Sequence, residues 1–174
     1  MDAALQNEIL SILSHARDMT VATNRADGYP QATTVSFVND GLKLYFACPR
    51  DSQKCANIMR DDKVSLTIDC AYERWEEIRG VSVGGRASEV ADVGERGRIL
   101  SLIQAKFGAN GPFDASRMSA LALIRVEPEV ISVLDYRRGW GYAQVVPCDA
   151  AALDVVEEAD IESFPASDAP AWIR

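Results

Sequence analysis

Gln31-Ala32-Thr33-Thr34-Val35-Ser36-Phe37-Val38-Asn39-Asp40-Gly41-Leu42-Lys43-Leu44-Tyr45-Phe46 is the stretch on which the fold turns. Gln31 to Val38 is rich in Thr and Val, residues that suit a pleated, half-buried surface. Asn39-Asp40-Gly41 follows, three residues that tolerate positive φ and close a tight hairpin. Leu42, Leu44 and Phe46 then alternate with Lys43 and Tyr45, the period of a strand with one buried face. The stretch therefore predicts two antiparallel strands around a short turn.

The flanks extend the pattern. Towards the N-terminus, Met19 to Thr23 reads as a strand, joined to the hairpin by the turn signal Ala26-Asp27-Gly28. Before it, Leu5, Ile9, Ile12, Leu13 and Ala16 fall on one stripe of a helix over 3–17. Towards the C-terminus, Pro49-Arg50-Asp51 ends the third strand. Ser52 is a good N-cap, and Gln53 to Arg60 makes a short helix. Val64, Leu66 and Ile68 alternate as a fourth strand. Residues 79–90 alternate again through Val81 and Val83. Their Gly80, Gly84 and Gly85 imply a bulge or close approach of another backbone. Arg96 to Phe107 has helical spacing, and Gly108 to Asp114 reads as a loop. Two strands, near 120–127 and 129–136, are predicted on either side of Pro128, with a short extended piece near 141–147. Four early strands joined by tight connections, with helices in only three places, give an antiparallel sheet. A doubly wound α/β fold, which needs strict alternation of strands and helices, is excluded. A small barrel with peripheral helices fits, because closure removes exposed strand edges.

At 174 residues the chain suits one domain, able to bury roughly 70% of its unfolded surface. The formal charge is −8, which argues against nucleic acid as a partner. That charge is unevenly placed. Residues 148–174 hold seven acids against one base, leaving 19 acids against 17 bases in residues 1–147. The chain divides accordingly into a domain over 1–147 and an acidic, Ala-rich tail over 148–174. The four cysteines, Cys48, Cys55, Cys70 and Cys148, form no CxxC pair and match no zinc spacing. They read as reduced thiols of a cytoplasmic protein. The N-terminus shows no signal-peptide pattern, and no apolar run is long enough to span a membrane. The single histidine, His15, excludes a multi-His metal site within one chain. No metal site and no catalytic side chain are assigned, so any redox chemistry is expected to come from a bound cofactor.

Cys48-Pro49-Arg50-Asp51-Ser52-Gln53-Lys54-Cys55-Ala56-Asn57 carries a candidate anion site. A strand runs into a helix whose first turn holds Ser52 and Lys54. The free N–H groups and positive dipole end of that turn favour an anion. Asn57 lies three residues beyond Lys54, on the same helical face. Pro30 to Ser36 adds backbone edges and small hydroxyls on a neighbouring strand, suited to the edge of a planar heteroaromatic.

The order of these segments carries a resemblance. A first helix precedes a strand and Asp27-Gly28-Tyr29-Pro30-Gln31-Ala32-Thr33. Then come Ser52-Gln53-Lys54-Cys55-Ala56-Asn57-Ile58 and Asp61-Asp62-Lys63-Val64-Ser65-Leu66. Arg79-Gly80-Val81-Ser82-Val83-Gly84-Gly85-Arg86-Ala87 follows. Over about residues 5–147 this resembles the pyridoxamine-phosphate oxidase-like superfamily of flavin-binding split barrels. The resemblance implies a mainly β fold with peripheral helices: a six-stranded, antiparallel, Greek-key split β-barrel. It implies a homodimer with FMN at the subunit interface. Gln31, Ala32, Thr33 and Thr34 would lie along the isoalloxazine edge. Cys48, Ser52, Lys54 and Asn57 would surround the ribityl-phosphate, with Arg79 and Gly80 facing the flavin. Trp140, in Arg138-Gly139-Trp140-Gly141-Tyr142, would stack on or beside the ring. Many relatives place Arg where Gln53 stands. The Arg- and His-containing ending of true pyridoxamine-phosphate oxidases is absent, which argues against vitamin B6 oxidation. The implied function is an FMN-dependent oxidoreductase acting on a small molecule, with NADH or NADPH as a candidate electron donor. Its alternatives are a non-catalytic flavin-binding protein for storage, sensing or stress, and a reductase using a deazaflavin coenzyme. No membrane partner is expected.

Overall fold

A computed structural model describes residues 1–108 and 120–148. Helix α1 spans Ala3–His15, and strands β1, β2 and β3 span Asp18–Asn24, Pro30–Asp40 and Lys43–Pro49. Helix α2 covers Gln53–Arg60 and strand β4 Lys63–Asp69. A 3-10 turn over Trp75–Glu77 leads into β5, Arg79–Glu89, and helix α3, Val93–Phe107. Strand β6, Leu121–Asp135, a second 3-10 turn, Tyr136–Arg138, and strand β7, Ala143–Pro147, complete the order.

The strands pair in the order β3-β2-β1-β4-β5-β6-β7, all antiparallel. A further pairing of β3 with β6 closes the first six into a barrel and leaves β7 as an appendage of β6. Closure is what period-two patterning demands. Along β3, Leu44, Phe46 and Cys48 point inward, as do Val64, Leu66 and Ile68 along β4. Helix α1 lays Leu5, Ile9, Ile12 and Leu13 into the same core. A second, smaller core lies outside the barrel, where Ile99 and Ile103 of α3 cover Val38, Tyr45 and Leu123. Fully burying one such aliphatic side chain contributes about 1.5–3 kcal/mol.

The barrel is split between β2 and β3. They pair only from Phe37↔Phe46 to Asp40↔Lys43. Beyond Phe46, β3 continues along β6, from Ala47↔Leu123 to Pro49↔Leu121. Residues 30–36 of β2 are thus paired to β1 on one side, with no strand on the other among the described residues.

Two expectations need correction. Pro128 does not divide two strands; β6 runs through it. The register shifts between Gly84 and Gly85, so that Gly84 faces Val130 and Gly85 faces Pro128. A bulge there absorbs the missing proline N–H. The glycines of β5 answer to this packing. A Cβ on Gly85 would sit 2.4 Å from the Glu127 carbonyl oxygen, and one on Gly80 would sit 2.7 Å from that of Ile68. Helix α3 starts at Val93 instead of Arg96, because Asp92 caps it, accepting from the Glu95 N–H at 2.6 Å. Gly94 and Gly97 had hidden its first turns from the apolar pattern. The loop expected to Asp114 lies outside the described residues after Gly108, and the acidic tail does so after Cys148. No helix among the described residues is long and apolar enough to cross a membrane.

Candidate functional site

Ser52 terminates the strand-to-helix turn as expected. Its Oγ donates to the Pro49 carbonyl at 2.6 Å and accepts from the Cys55 N–H at 3.3 Å. This fixes the first turn of α2 against the end of β3. The helix then aims Lys54 and Asn57 at β2 and β1.

Lys54 Nζ donates to Thr33 Oγ1 at 2.9 Å and lies 5.8 Å from the centre of the Phe46 ring. Burial lowers its pKa from the usual lysine value. Among the described residues it has no carboxylate partner. A half-buried ammonium without a counter-ion is an electrostatic debt that an anion would cancel.

Asn57 is almost wholly buried. Its Nδ2 donates to Thr23 Oγ1 at 3.0 Å and to Gln31 Oε1 at 3.1 Å, while its Oδ1 accepts from Gln53 Nε2 at 2.8 Å. Both Nδ2 hydrogens are spent inside the protein. Asn57 therefore orients Gln31, whose amide nitrogen is left as a donor for something outside. Gln31 and Thr33 share the face of β2 that looks at α2, whereas Ala32 and Thr34 project from the opposite, exposed face. The backbone of Ala32 still belongs to the open edge of β2. Cys48 lies in the barrel core, where burial pushes its thiol up to about 11, so it backs the site as a neutral group.

The remaining candidates lie elsewhere. Thr23 pairs with Val64, whereas Gly80 pairs with Asp69, five residues further along β4. That is about 17 Å of strand. Arg79 pairs with Asp135, and the Tyr136 N–H donates to the Ile78 carbonyl at 3.0 Å. Trp140 joins this distant end, its ring 5.4 Å from Tyr136 and 5.7 Å from Trp75. Trp140 is 69% exposed and Trp75 64%, so the pair offers aromatic surface outward. One chain thus gathers Gln31, Thr33, Ser52, Lys54 and Asn57 at one end of the barrel, and Arg79, Gly80 and Trp140 at the other. Thr23 and Trp75 were missed, and Gln53 was read only as standing where many relatives place Arg, not as a partner of Asn57. A glutamine and a threonine inside ordinary elements carry no sequence signal, whereas an exposed Trp75 so near Arg79 could have been noticed.

Residues 5–135 match the sequence profile of a family described as pyridoxamine 5'-phosphate oxidase. The chain belongs to that family. Three solved structures illustrate the shared fold. A conserved hypothetical protein from Mycobacterium tuberculosis is 24% identical with a TM-score of 0.65, the match covering 87% of this chain and 95% of the other. General Stress Protein 26 from Bacillus anthracis is 19% identical with a TM-score of 0.59, over 82% and 98% of the two chains. The haem storage protein HutZ from Vibrio cholerae is 19% identical with a TM-score of 0.60, over 72% and 90%. No curated protein matches the chain. For this pyridoxamine 5'-phosphate oxidase family member, His15 is exposed at the end of α1, its Nδ1 donating to the Ser11 carbonyl at 2.7 Å. The one imidazole is thus remote from the pairing of α2 with β2.

Proposed function

We propose that the protein binds FMN as a homodimer and acts as an oxidoreductase on a small molecule other than pyridoxamine phosphate. The observation that carries this reading is Lys54: a half-buried cation at a helix start that, among the described residues, has no carboxylate partner and lies beside an open strand edge. Lys54 and the first turn of α2 would hold the phosphate. Gln31, Thr33 and the free edge of β2 would meet the polar rim of the ring. The second copy would bring Arg79, Gly80 and Trp140 to the same flavin, a reading supported by their distance from Lys54 within one chain. Bound FMN would supply the electron-transfer chemistry, and the chain would supply orientation and exclusion of water.

The test is a visible spectrum of purified protein with mass spectrometry of whatever denaturation releases. Released FMN supports the proposal, and turnover with NADH or NADPH and an acceptor supports the enzyme reading. A deazaflavin, a haem Soret band, or a colourless protein that takes up no added FMN would overturn the cofactor assignment.

A further inference from the structure

A second cleft lies at the opposite end of the barrel strands from Lys54. It has a volume of about 500 Å³ and is lined by His15, Arg17, Asp18, Asp69, Cys70 and Arg79. Three connections bring these residues together: the end of α1, the start of β1, and the end of β4 beside the start of β5. The Cys70 N–H donates to the Arg79 carbonyl at 2.9 Å, which locks β4 and β5 together at the cleft.

Its charges are unspent. Elsewhere on the surface most arginines reach a carboxylate, as Arg86 reaches Asp62 at 2.9 Å and Glu129 at 2.7 Å. Neither arginine of the cleft does so among the described residues. Arg17 sits over Phe107, its guanidinium carbon 5.0 Å from the ring centre. Arg79 is half-buried and has no side-chain hydrogen bond among the described residues. The two carboxylates are equally uncommitted to these cations. Asp18 Oδ1 accepts from Ser36 Oγ at 2.7 Å, and Asp69 rests over Gly80, its Oδ1 2.8 Å from where a Cβ would stand there. Opposite charges that share a cleft and do not neutralise each other leave both signs free for a ligand. A dianion would meet two carboxylates, and a diamine would meet two guanidiniums. A molecule with one group of each sign would satisfy both.

We propose that this cleft binds a small zwitterion, an amino acid-like molecule, with Arg17 and Arg79 taking its carboxylate and Asp18 and Asp69 its ammonium. The size suits a small ligand. Arg79 is the one residue this cleft shares with the proposed flavin site, and the cleft forms within one chain without a bound cofactor.

Isothermal titration calorimetry with three probes of one carbon skeleton tests it: 4-aminobutanoate, succinate and 1,4-diaminobutane. Straight-chain ω-amino acids from glycine to 6-aminohexanoate extend the zwitterion arm. The expected result is binding within the ω-amino acid series and none by succinate or the diamine. Arg79→Met and Asp69→Asn should each weaken that binding at least about tenfold, with unchanged circular dichroism. Lys54→Ala should leave it intact, because Lys54 does not line the cleft. Failure of the whole zwitterion series to bind, equal binding of succinate or diaminobutane, or unaltered binding in both cleft variants would overturn the proposal. A protein that binds no FMN but binds an ω-amino acid would refute the flavin reading and leave this one standing.

Discussion

Asn57 holds Gln31 by its side-chain oxygen: the Asn57 Nδ2 to Gln31 Oε1 bond is 3.1 Å long. The bond engages the Gln31 amide through its oxygen, and it ties a helix residue to the edge strand residues of β2. The same Nδ2 also reaches Thr23, so one buried amide joins α2 to two strands.

Replacing Asn57 with Leu removes these donors and leaves Thr23 Oγ1 and Gln53 Nε2 without their partner. An unsatisfied buried polar group costs about 1–3 kcal/mol. Asn57→Leu should therefore lower the urea midpoint with an unchanged m-value. It should also weaken FMN binding, because Gln31 loses its orientation. Gln31→Ala should weaken FMN binding at little cost in stability, which separates the two effects.

Lys54→Met provides a test with opposite signs. Methionine keeps an unbranched stem against Phe46 and removes the desolvated charge. Lys54 makes no ion pair among the described residues, so the apo protein should melt at the same or a higher temperature. FMN affinity should fall at least about tenfold, or about 1.4 kcal/mol. A Met variant that binds FMN as well as the parent would remove Lys54 from the phosphate site.

The sequence was most legible where a local pattern met a local rule. The Asn39-Asp40-Gly41 turn, the alternation through Leu44 and Phe46, and Ser52 as a cap each depend on neighbours in the chain. The Ser52–Asn57 stretch could be read for the same reason, since helical spacing alone puts Lys54 and Asn57 on one face. What could not be read depends on partners distant in sequence. Pro128 is tolerated within β6 only because Gly85, on another strand, lets a bulge form opposite it. That Ala32 and Thr34 turn away from Lys54 follows from the register of β2 on β1. The separation of Arg79 and Trp140 from Lys54 follows from pairing register, which puts them at opposite ends of the strands.

Acid should expose a pair only two residues apart in the chain. Asp135 is buried, and Arg137 grips it with two bonds, Nε to Oδ1 at 2.8 Å and Nη2 to Oδ2 at 2.7 Å. Arg137 first, with Arg138 adding a smaller pull, holds this carboxyl below the ordinary aspartate value of 3.8, against the opposing effect of burial. Its contribution to stability is complete above that ordinary value. It declines as pH falls below it, when the unfolded chain takes up the proton first, and is lost once pH passes the lowered folded value. Unfolding measured from pH 6 to pH 2 should show a shallower acid limb in Asp135→Asn than in the parent. An identical limb would mean that Asp135 has no such shift.

Two glycine-to-alanine changes should move stability in opposite directions. At Gly85, a Cβ would stand 2.4 Å from the Glu127 carbonyl oxygen and 3.1 Å from the Pro128 Cα. Both obstacles are backbone, so β5 and β6 must part at the bulge for alanine to fit. Gly97, by contrast, is exposed within α3 and has nothing within 4 Å of its Cβ position. Alanine there only reduces the freedom of the unfolded chain and improves helix propensity, a gain of up to about 1 kcal/mol. Denaturant titration should place Gly97→Ala above the parent midpoint and Gly85→Ala well below it. Equal tolerance at both sites would mean that the strand bulge, and not Gly85 itself, accommodates Pro128.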